Sequence, residues 1–305
     1  MPDPDDAPPP IDPASHLVDP ESPYGFTGGD ILHPSDLSVD EGRAFAHALA
    51  IALRLQSTLS LLHAGQRSSV IDGMAYPHVR ETLIRWGLLD KGSPREAVWD
   101  ELGIEVKKLS PKKLSPMEAI EKHLAERATD MVVMATRGRD GMPRWLKPSV
   151  SDKLAKRAPA RTLYVPTDVR GFVQAETGEI RLRRIVTPLD PELDPRIAMR
   201  AADRIAQILG QTGVEFVAVR VGGGQTFDDV DLSDTPRGSW STETRKGSPA
   251  KEIVDVAIGC DADLIIMVTE GRQGFLDALR GSTTAQVLHE APCPLAALPA
   301  YMFDR

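Results

Sequence analysis

The chain repeats itself. Ser115-Pro116 recurs as Ser248-Pro249, 133 residues further on, and the same spacing joins Asp130 to Asp263, Met134 to Met267 and Thr136 to Thr269. It also joins Gly138 to Gly271, Arg139 to Arg272, Gly141 to Gly274, Ser149 to Ser282, Ala158-Pro159 to Ala291-Pro292 and Pro166 to Pro299. Upstream the spacing changes to 154, where Pro34-Ser35-Asp36 meets Pro188-Leu189-Asp190, so the first copy holds 21 extra residues between Asp36 and Ser115. Such self-similarity marks a unit built twice, whose copies bury apolar surface against each other.

Each copy alternates strands and helices. In the second, Arg184-Ile185-Val186-Thr187 reads as a short strand. Asp194-Pro195 then supplies an N-cap and a proline in the first helical turn, and Ile197, Ala201, Ile205 and Ile208 recur at helical spacing. Val214 to Val221 and Ser239 to Arg245 follow as strands, and Pro249 opens a helix with Ile253, Val254 and Ala257 inward. Asp263 to Val268 is an apolar run of the kind buried on both faces of a parallel sheet, before a helix over Thr283 to Glu290 and a strand over Leu295 to Leu298. The first copy keeps this order: strands at Ile31 to Pro34, Leu59 to His63, Ile104 to Lys108 and Thr162 to Val165, and a capping box from Ser38 to Glu41 before a helix through Phe45, Leu49 and Leu53. A helix over Val79 to Leu89 accounts for the extra residues, whereas Gly222 to Arg237 reads as a mobile loop. The expected fold class is α/β: two repeated, doubly wound, five-stranded parallel-sheet domains packed as an internal pseudo-dimer. Antiparallel pairing of Thr162 to Val165 with Leu295 to Leu298 would hide two open edges.

The expected divisions are a disordered acidic, proline-rich tail at 1–29, a first domain at 30–167, a hairpin linker at 168–182 and a second domain at 183–301. Met1 to Gly42 carries ten acidic residues and no Lys or Arg, which leaves the rest of the chain near neutral despite a net charge of −8. A near-neutral body argues against nucleic acid as a partner. No apolar run approaches the length of a membrane span, and two cysteines, Cys260 and Cys293, build no disulfide framework, so a cytoplasmic setting is expected. The seven histidines show no metal-ligand spacing, so His33 and His63 read as core or rim residues. Lys107-Lys108-Leu109-Ser110-Pro111 is repeated at once as Lys112 to Pro116, and Ser110 and Ser115 read as surface loop leading into a helix.

In each copy the strand before the last helix runs into a glycine-containing loop. The second reads Met267-Val268-Thr269-Glu270-Gly271-Arg272-Gln273-Gly274, with Gly281-Ser282 opening a helix, a natural cradle for an anion. With this loop, the order of elements and Ala291-Pro292-Cys293-Pro294-Leu295, both repeats resemble the universal stress protein family. The resemblance implies a five-stranded parallel sheet that pairs through its last strand, and a division into members that bind ATP and members that bind no nucleotide. The binders carry Gly-x2-Gly-x9-Gly-Ser/Thr and an aspartate after the first strand.

Carried over by position, the resemblance places Asp190 at the adenine–ribose end and Gly271, Gly281 and Ser282 at the phosphates, with Arg272 and Arg280 adding charge. Val268 replaces the pattern's first glycine and sets two methyls where backbone would approach a ligand. In the first copy Asp36, Gly138 and Ser149 match as weaker candidates; Ala135 and Pro148 replace glycines, and Pro148 removes a backbone donor. The implied ligand is ATP or another adenine nucleotide, with Mg2+ as its conceivable companion, and the implied role is stress-response regulation. Two other readings stand beside it: a nucleotide-free scaffold for a protein partner, and a weak ATPase using Glu270 or Asp277 as base. No constellation argues for efficient hydrolysis, so no catalytic residue is assigned. A homodimer and an unidentified protein partner remain open.

Overall fold

The computed structural model describes residues 28–37, 41–63, 76–136, 160–222, 238–269 and 283–302. Ten strands form one continuous sheet. In the first half these are β1 (Asp30–Pro34), β2 (Thr58–Leu62), β3 (Val106–Leu109), β4 (Thr129–Thr136) and β5 (Thr162–Pro166). In the second they are β6 (Arg184–Pro188), β7 (Val214–Val221), β8 (Gly238–Arg245), β9 (Leu264–Thr269) and β10 (Leu295–Pro299). The order across the sheet is β3-β2-β1-β4-β5-β10-β9-β6-β7-β8. Every pairing is parallel except the central one, where Leu295, Ala296 and Ala297 of β10 face Tyr164, Leu163 and Thr162 of β5 antiparallel. The two halves are thus mirrored in strand order about a joint made by their last strands, as expected from the repeat.

Helices cover both faces. On one lie α1 (Gly42–Leu55) and α5 (Pro195–Ile208), and on the other α4 (Pro116–Glu126), α6 (Pro249–Gly259) and α7 (Thr283–Glu290). Ile197, Ala201, Ile205 and Ile208 are the buried stripe of α5, and Asp194 caps that helix by accepting the Arg196 amide hydrogen at 2.9 Å. Such a cap is worth about 1 kcal/mol. The core under α1 and α5 runs unbroken across the joint, from Phe45 and Leu49 to Ile205 and Phe216. Between β5 and β6, Val173 and Ile180 meet in an isolated antiparallel bridge.

One element differs from the sequence reading. The helix expected over Val79 to Leu89 ends early: α2 (Val79–Arg85) is closed by Gly87, whose φ of +74° suits glycine, and a second short helix, α3 (Ala97–Asp100), follows. The capping box expected from Ser38 to Glu41 depends on Ser38; α1 itself starts at Gly42. Glu41 precedes it without a capping side-chain bond and turns its carboxylate inward to Ser35 and Asp36. Ser38 lies outside the described residues, as do the tail's residues 1–27 and the loop at 223–237. A complete capping box does form at Ser115 and Glu118, so Ser115 is the N-cap of α4.

Candidate functional site

In each half the chain leaves its first strand towards one side of the sheet and later crosses to the other. The reversal falls between β1 and β4, and between β6 and β9. Crevices beyond the carboxyl ends of strands at such reversals are where open α/β sheets hold ligands.

In the second half, β6 delivers Thr187, Leu189 and Asp190 to that crevice. Leu189 continues the ladder by donating its N–H to the Val219 carbonyl, and Asp190 projects into solvent. One Asp190 carboxylate oxygen accepts the Glu192 N–H at 2.9 Å, which fixes the turn leading to α5. Leu189, Ala198 and Ala218 form a small apolar cluster of their own, with Val268 and Trp240 packed against it. Thr187 is fully buried beside it on the strand, level with Ala218, and its hydroxyl has no hydrogen-bond partner. A buried hydroxyl left unpaired costs roughly 1–3 kcal/mol, which a ligand atom or water would recover. Val268 lies half-buried at the end of β9, in ordinary strand conformation; its methyls finish the apolar wall. Gly271, Arg272, Arg280, Gly281 and Ser282, with Glu270 and Asp277, lie outside the described residues.

The first half is built differently at the matching place. His33 stands level with Leu61 on β2, as Thr187 stands level with Ala218 on β7. His33 is fully buried, and its Nδ1 donates to the Val133 carbonyl at 2.8 Å. Burial pushes its pKa down to about 4, so the ring is neutral, and its Nε2 is unpartnered. Ser35 donates its hydroxyl to Glu41, whose carboxylate also accepts the Asp36 N–H at 3.2 Å. Glu41 is only 5% exposed. Desolvation raises its pKa to about 7 against the opposing bond from Ser35. His63 donates from Nδ1 to the Ser35 carbonyl at 2.9 Å, and its Nε2, like the Thr136 hydroxyl, is buried without a partner. Ala135 is buried in the wall; Gly138, Pro148 and Ser149 lie outside the described residues.

Of the residues expected at the sites, the structure therefore places Asp190 and Asp36, both immediately beyond a first strand. It adds Thr187 and Trp240 to the second crevice, and His33, Ser35, Glu41 and His63 to the first. A signal for the second group was present. At the 154-residue spacing, polar His33 and Ser35 align with Thr187 and apolar Leu189, so a carboxylate-bearing polar cluster replaces an apolar shelf. Among the described residues no group of three or more His, Cys, Asp or Glu is arranged to hold a metal ion.

Comparison with known proteins bears on both halves. A model described as the universal stress protein family matches residues 29–166 and 230–299. A universal stress protein of Methanocaldococcus jannaschii is 44% identical over 54 residues, 18% of this chain and 32% of the relative. One from Thermus aquaticus is 44% identical over 50 residues, 16% of this chain and 36% of the relative. These matches span about a third of each relative's length. Among solved structures, a universal stress protein from Archaeoglobus fulgidus superposes with a TM-score of 0.55 at 17% identity, covering 90% of this chain and 98% of that one. A functionally unknown protein from Pseudomonas aeruginosa gives 0.53 at 17% identity, over 90% of this chain and 94% of its own. At that identity the likeness is one of fold.

Proposed function

Because the chain belongs to the universal stress protein family, we propose that it is a cytoplasmic stress-response regulator whose second repeat alone takes an adenine nucleotide. The observation that carries this reading is the contrast between the crevices. The second offers an apolar shelf for a base, an unpartnered Thr187 hydroxyl, and the solvent-facing carboxylate of Asp190, which suits ribose hydroxyls. The residues present fit that half of a nucleotide. Phosphates, with Mg2+ where they recruit it, would fall to the loop of Gly271, Arg272, Gly281 and Ser282. The first crevice does not fit, because Glu41 already takes the Asp36 amide and the Ser35 hydroxyl, and its polar cluster stands where the second crevice has an apolar shelf.

Calorimetric titration with ATP and Mg2+ tests this. One nucleotide per chain is expected. Asp190→Ala should weaken binding by roughly ten- to a hundredfold, the value of a lost charge-assisted hydrogen bond of about 1.5–3 kcal/mol. Asp36→Ala should change nothing. Equal losses from both variants would refute the assignment to one repeat. A nucleotide-free scaffold is the second reading, favoured by Val268, whose methyls line the crevice; a flat titration would establish it. Hydrolysis would need a base, and only Glu270 and Asp277 stand near enough in sequence; turnover no higher than in Glu270→Gln would dispose of it.

A further inference from the structure

The 21 extra residues of the first repeat leave a feature unrelated to either crevice. A cleft of about 550 Å³ opens between α2, α3 and the edge strand β3. Trp99, at 61% exposure, is the most exposed large apolar side chain among the described residues and lines this cleft, with Val98, Val79 and Val106. Three cations line it too. Arg80 reaches only the Lys91 carbonyl, at 3.2 Å, and its Nε is buried without a partner. Lys108 lies over the Tyr76 ring, 5.4 Å from its centroid. No carboxylate among the described residues pairs with Arg80, Arg95 or Lys108, because the cleft's own acids are taken: Glu81 by His78 at 3.2 Å and Glu105 by Lys107 at 2.6 Å. One wall, β3, has β2 as its strand neighbour, and among the described residues no strand pairs with its outer edge. An apolar anchor point, unpaired cations and an open strand edge together suit an extended, acidic segment.

We propose that the occupant is this chain's own amino-terminal segment, docked through Ala14 to Glu21. Residues 1–27 hold six carboxylates and no Lys or Arg, and Ala14 to Asp19 is their longest run without proline, which β-pairing requires. That run contains Leu17 and Val18 to meet Trp99, and Asp19 and Glu21 to meet Arg80 and Arg95. The described chain begins on the same side. Gly28 lies against the Leu55 carbonyl, and the next residue, Gln56, covers Gly103 beside the cleft. From β1 to the outer edge of β3 is three strand spacings, roughly 14 Å, whereas the residues between Glu21 and Gly28 span roughly 20 Å when extended. So short a tether gives an effective concentration on the order of millimolar, enough to populate a contact that would be weak between separate molecules.

Zero-length carbodiimide crosslinking of the full chain, followed by peptide mass spectrometry, tests the proposal. Lys108 should couple to Asp19 or Glu21 well above its share among the surface lysines. Coupling spread evenly over lysines, or sparing Lys108, overturns the proposal. A mixture of isotopically light and heavy chains separates the alternatives: light–heavy crosslinks at Lys108 would assign the cleft to a second copy and also overturn it. As an independent readout, Arg80→Glu with Arg95→Glu should raise the rate of proteolytic cleavage at Leu17 by about fivefold, the rise expected when a segment docked about four-fifths of the time is released. An unchanged rate counts against docking. Neither measurement involves nucleotide, so failure here leaves the reading of the second crevice untouched.

Discussion

Three buried titratable side chains in the first repeat pull its stability in opposite directions with pH. Glu41 is held protonated up to about pH 7, against an ordinary value of 4.5, so the folded chain binds a proton that the unfolded chain has lost. Its contribution is complete at low pH and falls away as pH rises from about 4.5 to 7. His33 and His47 do the reverse. Both are desolvated to about 4 from 6.5, so between those values the unfolded chain takes up protons that the folded one refuses, and stability rises with pH. Between about pH 4.5 and 6.5 the three sum to a gain of about 1.4 kcal/mol per pH unit, one proton's worth. Glu41→Gln removes the opposing member, so the acid limb should steepen by a further ~1.4 kcal/mol per unit. Urea unfolding of both proteins at pH 5 and pH 6 measures the difference; parallel limbs would show that Glu41 is not buried as a neutral acid. The same substitution leaves the hydroxyl of Ser35 and the amide of Asp36 an acceptor, so the fold should survive it.

The connection between the repeats is held by one histidine and one tryptophan of the first. His47 donates from Nδ1 to the Arg43 carbonyl, accepts the Val173 amide hydrogen at Nε2 (3.2 Å), and meets the Phe172 ring edge-on at 4.4 Å. Trp86 donates its indole hydrogen to the Ala175 carbonyl at 3.0 Å. Gly171 sits so close that a Cβ there would stand 2.2 Å from His47 Cε1. Gly171→Ala must therefore displace a ring locked on three sides, and a loss on the order of 1–3 kcal/mol is expected. Thermal unfolding checks it, and a melting temperature equal to the parent's would mean the connection is looser than drawn. The sequence foretold the strands, most helices and the antiparallel joint, because apolar periodicity and the repeat register are local and redundant: Asp194-Pro195 and Ile197 through Ile208 say the same thing twice. The contact of Glu41 with Ser35 was not legible, because only the third dimension puts Ser35 within its reach. Gly87, preceded by Arg85 and Trp86, carried a legible stop for α2 that the longer apolar pattern concealed. Asp190 and Asp36 were legible through the repeat; Thr187 and the cleft beside Trp99 were not, since an unpartnered hydroxyl and an empty groove exist only between elements.

At the scale of the molecule, ten strands share one sheet and both of its main apolar cores cross the β5–β10 joint. The halves should therefore open as one unit. Native-state hydrogen exchange in increasing urea should give Leu61 on β2 and Val217 on β7 the same opening free energy and the same urea slope. A lower energy and smaller slope for either half would mean that it unfolds alone. No helix among the described residues is long and apolar enough to cross a membrane. A pair of separate subunits meeting through their last strands would come apart on dilution, so that the fraction paired would depend on how many copies the cell makes. Here the partners are one polypeptide. Their meeting is as secure at a handful of molecules as at thousands, so the amount of this protein can be tuned freely without altering what each copy is.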